Sequence, residues 1–490
     1  MPNTVLILHG WSDTYDSFRA LGDIISRNGY PIESVHLGAY RSMEDHTTFD
    51  NVADGFQARV EELLAQGKVP ADPTAPAGRE RILPFSVDVI AHSTGGPVVR
   101  HWLTRYLKNV CDGNFAGCPV QRIVLLAPAN FGSRLAAQGQ SALAKIFKGG
   151  LSHGFQTGRA ILQGLELGSP FLCRLADEDL FGQQSVYPVD PKRGPFVFVL
   201  SGTKTYEKLK GLVAPGATEM GSDGTVRAAA ASLSSVKLKA DFRLKPPKIK
   251  PTPQPNAPIA FKLVPGKNHT EIVPQSDPNH PVIDIVLRCL AVQDDVGYAR
   301  ISAQFDQENA SFYEGERTRP DGVHRFQQFI VRVVDDMDVE VDDYQLAFHV
   351  IDDPKVTSTW NEQQPEKALT RYQEYTTRVQ ERVIVHVQAH SVRPSYRTFF
   401  IDLDELAALQ VELEKHPDPP FIAMNIDATS PTSGVTFNTD DLHYIPLNET
   451  FQDPDGKIAT FFAPNTSTLV EVVLKPSVGD DVFKFHPLQR

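Results

Sequence analysis

Short apolar runs and stretches of helical period alternate along the first three-fifths of the chain. The runs Val5–Leu8, Ser34–Leu37, Ser86–Ile90, Arg122–Leu126, Pro195–Leu200 and Ile259–Val264 read as strands buried on both faces. Between them, Thr14–Asn28, Phe49–Gln66 and Gly96–Leu107 repeat their apolar positions at three- and four-residue spacing, as does Pro281–Leu290 after the last run. Strand–helix alternation of this kind predicts a mostly parallel sheet covered by helices on both sides. The segment 131–185 carries no strand signal and is rich in Leu, Ala and Gly, so it reads as an inserted helical cap. Beyond about Val292 the texture changes. Phe326–Val334, Gln345–Ile351, Arg382–Ala389, Arg397–Leu403, Phe421–Ile426 and Ser467–Leu474 are β-branched and aromatic, with Asp, Pro and Gly between them. That pattern predicts an all-β, sandwich-like module interrupted by one helix at Leu403–Lys415.

Charge supports the same division. Of the net −12 carried by 490 residues, positions 1–292 contribute +5 and positions 293–490 contribute −17. Two domains are therefore expected, 1–292 and 293–490. A hydrophobic content of 41% excludes global disorder, and no apolar run reaches the ~20 residues of a membrane span. The start of the chain shows no basic leader and an apolar run of four residues, so no signal peptide is expected. The four cysteines, Cys111, Cys118, Cys173 and Cys289, form no Cys-x-x-Cys pair. Free thiols are expected, although Cys111 and Cys118 could bridge in an oxidising compartment.

The chemistry concentrates at Phe85-Ser-Val-Asp-Val-Ile-Ala-His-Ser-Thr-Gly-Gly96, where a buried strand runs directly into a helical pattern. A nucleophilic serine needs such a strand-to-helix turn, with small residues two positions to either side so that the backbone can approach. Ser93 meets this with Ala91 before it and Gly95 after it. Gly150-Leu-Ser-His-Gly154 matches the Gly-x-Ser-x-Gly pattern more literally, but no strand precedes it, and Ser152 is rejected. For the orienting acid, Asp223 sits between glycines in a loop beyond the fifth strand, with Glu207 and Glu219 as alternatives. For the base, His269 follows the sixth strand across Pro265-Gly-Lys-Asn268, while His280 more simply starts a helix. The backbone N–H groups of Thr94 and Trp11 are the expected oxyanion donors, the latter because His9-Gly-Trp11 directly follows the first strand.

Two further features bear on partners. Lys237–Lys262 carries seven basic side chains against Asp241 and reads either as a headgroup-binding hairpin or as a solvated loop. Leu135, Leu143, Ile146 and Phe147 with Lys145 and Lys148 could meet lipid or simply pack. The acidic run Asp335–Asp343 invites calcium, but its alternation with Val339 and Val341 describes a strand with one wet face. No metal, cofactor or nucleic-acid partner is expected.

Taken together, the His92-Ser-Thr-Gly-Gly96 turn, the His9-Gly-Trp11 strand end, the Asp223-Gly-Thr loop and the β-rich second domain resemble the PlaB-type bacterial phospholipase A/lysophospholipase A family of α/β-hydrolases. The resemblance implies a cell-associated enzyme of phospholipid membrane surfaces that forms homo-oligomers. It also implies a triad of Ser93, Asp223 and His269. Two other readings stand beside it: an esterase, thioesterase or acyltransferase of soluble acyl groups, and an inactive hydrolase scaffold that binds a partner.

Overall fold

A computed structural model describes residues 2–8, 15–35, 46–138, 159–182, 186–187, 194–206, 218–244, 248–252, 259–274, 277, 279–319, 321–352, 372–429, 435–437, 445–447, 450–452 and 458–478. Its first sheet is assembled from β1 (Thr4–Leu8), β2 (Ile32–Val35), β3 (Val87–His92), β4 (Val120–Leu126), β5 (Phe196–Gly202) and, later in the chain, the strand Ala260–Val264. Their spatial order is β2-β1-β3-β4-β5 and then Ala260–Val264, every neighbouring pair parallel. Parallel order places all six carboxyl ends along one rim. Burial explains why these strands are near-continuous apolar runs: in β1, β3 and β5 every residue is buried.

Alternate strand residues feed a core on one face, where Val5, Ile7, Ile90, Val124 and Leu126 meet Phe18 and Leu21 of the helix Tyr15–Arg27. Ile283 and Val286 of the helix Pro281–Leu290 complete that layer. On helix Phe49–Ala65, Phe56 meets Trp102 of helix Gly95–Asn109 edge to face, with ring centroids 4.9 Å apart. Thr48 starts the first of these helices by a reciprocal bond with Asn51, satisfying two first-turn donors.

The division drawn at 292 from residue texture and charge differs from the division of the structure. One compact unit comprises residues 1–234 and 254–324, and the other 235–253 and 325–490. The helix Asp295–Arg317 belongs to the first unit for a physical reason. Its buried face, Tyr298, Ile301, Phe305 and Asn309, lies along the open edge of the sheet. Asn309 accepts from the Leu263 N–H at 2.8 Å and donates to the Phe261 carbonyl at 2.8 Å, so its amide takes the place of a further strand. Tyr298 accepts from the Ala260 N–H and donates to the Val197 carbonyl. The helix's acidic outer face misplaced it in the charge count.

The Lys-rich stretch is a hairpin, β6 (Ser235–Asp241) with β7 (Lys248–Thr252), and it serves the second unit. There β6 lies parallel to the strand Ser467–Leu474, which in turn lies parallel to the strand Phe326–Asp335. These strands join Ile384–Ala389 and Tyr396–Asp402 in a six-stranded mixed sheet. A three-stranded sheet built on Tyr344–Ile351 and Phe421–Ala428 shares its core, with Phe329, Val331 and Val472 on one side and Phe348, Val350 and Met424 on the other. The sandwich-like expectation is therefore met, with the helix Leu403–Leu413 adding Leu406, Leu409 and Leu413 to the filling.

Candidate active site

β3 ends at His92, and Ser93 turns into the helix with φ = 53°. A left-handed backbone at a residue other than glycine costs about 1–3 kcal/mol and persists only where its surroundings enforce it. Here the Ser93 N–H donates to the Leu126 carbonyl, while the Ser93 carbonyl accepts from Gly96 and Ala129. A side chain at either glycine would be crowded, most severely at Gly96. A Cβ on Gly95 would lie 3.0 Å from the Leu8 carbonyl oxygen, and one on Gly96 would lie 2.6 Å from the Pro128 Cβ. Ala91 stands where such turns usually carry glycine, and its methyl would lie 3.5 Å, an ordinary contact distance, from a Cβ at position 95. Thr94 opens the helix, so its N–H belongs to the first turn, where donors point outward and the helix dipole is positive.

Asp223 and His269 reach the same place from the same rim. His269 Nε2 lies 2.9 Å from Ser93 Oγ, and His269 Nδ1 lies 2.8 Å from Asp223 Oδ2. A carboxylate only accepts, so the proton resides on Nδ1 and leaves Nε2 as the acceptor for the serine hydroxyl. The second carboxylate oxygen, Oδ1, accepts from the backbone N–H groups of Thr225 at 2.9 Å and Val226 at 2.7 Å. Both Asp223 and His269 are fully buried. Gly224, at φ = 88°, has no room for a side chain, because a Cβ there would lie 2.5 Å from the Tyr206 ring. Burial, with the Asp223 charge nearby, pushes the Tyr206 phenol well above its ordinary range.

Of the alternatives, Glu219 and His280 lie among the described residues. Glu219 accepts from Arg227 Nε at 2.9 Å and from Arg134 at 2.9 Å, bracing the acid loop. His280 caps the helix Pro281–Leu290 through the Val282 N–H, the structural role expected of it. Trp11, with His9, lies outside the described residues, as do Glu207, Ser152 and the segment Leu143–Lys148. Leu135, from the possible lipid-facing stripe, is fully buried. Lys262 is buried on its strand and paired with Glu308 at 3.0 Å, which removes it from any cationic surface. Cys111 and Cys118 are buried free thiols.

The acidic run is a turn rather than a strand. Asp335 accepts from the Met337 and Val339 N–H groups, Asp338 pairs with Arg332, and Glu340 pairs with Arg393. Among the described residues no group of three or more His, Cys, Asp or Glu is placed to hold a metal. No helix among them is long and apolar enough to cross a membrane.

Several residues that shape the site gave no sequence signal. Ser133 Oγ donates to the Thr225 carbonyl at 2.6 Å, and Asn130 donates to the Ala231 carbonyl at 2.7 Å. Arg100, on the helix after Ser93, grips Asp179 with two bonds of 2.8 and 2.9 Å and donates a third to the Asn130 carbonyl. This buried pair ties the helix after Ser93 to the helix Pro170–Asp179 of the segment 131–185. His92 is the remaining one and is taken up below.

No family model and no curated protein matches the sequence. Among solved structures, phospholipase PlaB from Legionella pneumophila in complex with thio-NAD is similar over 99% of this chain and 96% of its own, at 24% identity and a TM-score of 0.75. A second structure of that phospholipase gives the same coverage and identity with a TM-score of 0.72. The mature lipase BlEst2 from Bacillus licheniformis covers 58% of this chain and 92% of its own at 16% identity and a TM-score of 0.35. The chain thus has a PlaB-type fold, an α/β-hydrolase part with a parallel central sheet and a separate β-rich part.

Proposed function

We propose that the chain is a serine hydrolase that deacylates glycerophospholipids and lysophospholipids. The observation that carries this reading is the hydrogen-bonded line from Ser93 Oγ through His269 to Asp223, with separations of 2.9 and 2.8 Å. Its three members come from loops far apart in sequence at one rim of a parallel sheet, the place where such folds carry their chemistry. A similar fold in an enzyme named as a phospholipase supports the lipid as substrate class.

In this mechanism His269 Nε2 takes the proton from Ser93 as Oγ attacks the ester carbonyl carbon. The N–H of Thr94, at the positive end of its helix, and that of Trp11 hold the oxyanion. Collapse expels the lysolipid or glycerol oxygen, which receives its proton from His269, and leaves an acyl-serine. His269 then deprotonates a water that attacks the acyl carbon, and the fatty acid departs with Ser93 restored. Asp223 keeps the imidazole in the required tautomer and faces the positive charge it acquires. The enzyme works at the surface of phospholipid bilayers as a peripheral homo-oligomer.

The test is a panel of diacyl- and lysophospholipids in vesicles, with soluble acyl esters beside them, assayed with wild type and Ser93→Ala. Fatty acid release from both lipid classes is expected, falling by about 10³-fold or more in Ser93→Ala. Full activity in folded Ser93→Ala overturns the chemistry. Turnover of soluble esters alone overturns the lipid assignment, and no turnover at all identifies an inactive scaffold. Vesicle co-sedimentation that weakens with salt checks the peripheral attachment.

A further inference from the structure

We infer that His92 is a positioning residue that sets the separation between the proposed nucleophile and base, an assignment that rests on the hydrolase reading above. His92 is the residue immediately before Ser93, is 1% exposed, and its Nε2 lies 3.0 Å from the main-chain carbonyl oxygen of His269. A carbonyl oxygen only accepts, so His92 carries its proton on Nε2 and donates it. The His269 N–H in turn donates to the Asp223 carbonyl at 2.9 Å. Main-chain bonds on both sides therefore hold His269, one to the acid and one to the neighbour of the nucleophile. The two rings also lie against each other, centroids 4.8 Å apart and planes inclined at 42°, and the Phe18 ring centroid lies 5.8 Å from that of His92.

The consequence is geometric. Ser93 and His269 stand on segments 176 positions apart, and their 2.9 Å contact would otherwise depend on how the loop after Val264 settles. Through His92 the base's main chain is tied directly to the strand end that presents the serine. Loss of this tie leaves both reacting groups in place but releases the distance between them, and a misplacement of ~1 Å costs on the order of 10²-fold in rate.

Three variants test this: His92→Phe, His92→Asn and His92→Gln. Phenylalanine keeps the ring contact and loses the donor. Asparagine keeps a donor only at the Nδ1 reach, whereas glutamine places an N–H at the reach of Nε2. Each is measured for melting temperature, kcat and KM on a soluble acyl ester, and rate of covalent labelling by a fluorophosphonate. His92→Phe and His92→Asn are expected to lose roughly 10–100-fold in kcat and labelling rate with KM unchanged. His92→Gln is expected to recover to within about threefold of wild type, a rescue that packing alone does not produce. If asparagine and glutamine behave alike, or if a folded His92→Phe labels at the wild-type rate, the assignment is wrong. Absence of labelling in the wild type, by contrast, condemns the hydrolase reading beneath it.

Discussion

Replacing Asp223 by asparagine changes one atom and reverses a proton. In the native loop Oδ1 accepts from two buried backbone N–H groups, while Oδ2 accepts from His269 Nδ1. An asparagine here can turn its oxygen to the loop and its NH₂ to the imidazole, or the reverse. The reverse leaves two buried donors facing a donor, the first only one. Each unmade buried bond costs about 1–3 kcal/mol, so the amide oxygen faces Thr225 and Val226 and the NH₂ faces His269. The imidazole relieves the remaining conflict by moving its proton from Nδ1 to Nε2. A protonated Nε2 cannot accept from Ser93, so the base is present, correctly placed and in the wrong tautomer. By analogy with Ser–His–Asp hydrolases, kcat is expected to fall about 10⁴-fold, or about 5.4 kcal/mol of transition-state stabilisation. The loop keeps both of its backbone bonds, so the melting temperature should stay near that of the wild type. Steady-state turnover of a chromogenic acyl ester, with thermal unfolding in parallel, measures both. A loss below tenfold in a folded protein would refute the assignment of Asp223 as the orienting acid.

Three further outcomes follow from buried groups. Arg100→Met strands the Asp179 carboxylate in a dry interior and should destabilise by about 3–5 kcal/mol in urea unfolding, with Arg100→Met/Asp179→Leu recovering much of the loss. Asn309→Leu leaves the Leu263 N–H and the Phe261 carbonyl without their partner at the sheet edge and should cost about 2–5 kcal/mol; wild-type stability would show that the helix Asp295–Arg317 does not guard that edge. Burial raises the Cys111 thiol to about 11 and the Cys118 thiol to about 12, and pushes Cys289 higher still. The reactive thiolate is thus scarcer than usual at pH 8, and maleimide should label the native protein slowly and all four thiols after denaturation. Rapid labelling of any of these thiols in the folded state contradicts their burial.

The strands were legible because a parallel strand covered on both faces is apolar at nearly every position, as Thr4–Leu8 and Phe196–Gly202 are. The strand-to-helix turn at Ser93 was legible from the buried run that leads into it rather than from the pentapeptide pattern, which Gly150–Gly154 matches better. What was illegible is what depends on distant pairing. β6 lies beside Ser467–Leu474, and nothing in either segment names the other. The helix Asp295–Arg317 wears the acidic surface of the residues that follow it, so a border drawn at 292 on texture and charge cut it from the sheet it packs on. His92 donates to a carbonyl 177 positions away, and a lone histidine at a strand end announces no such partner.

The central claim is that Ser93 is the nucleophile, and the most direct measurement is the site at which a fluorophosphonate attaches, mapped by mass spectrometry of the digested protein. The expected adduct lies on the peptide containing Ser93, is absent after heat denaturation before labelling, and persists in Ser152→Ala. An adduct on Ser152, or on no serine of the native protein, would contradict the account.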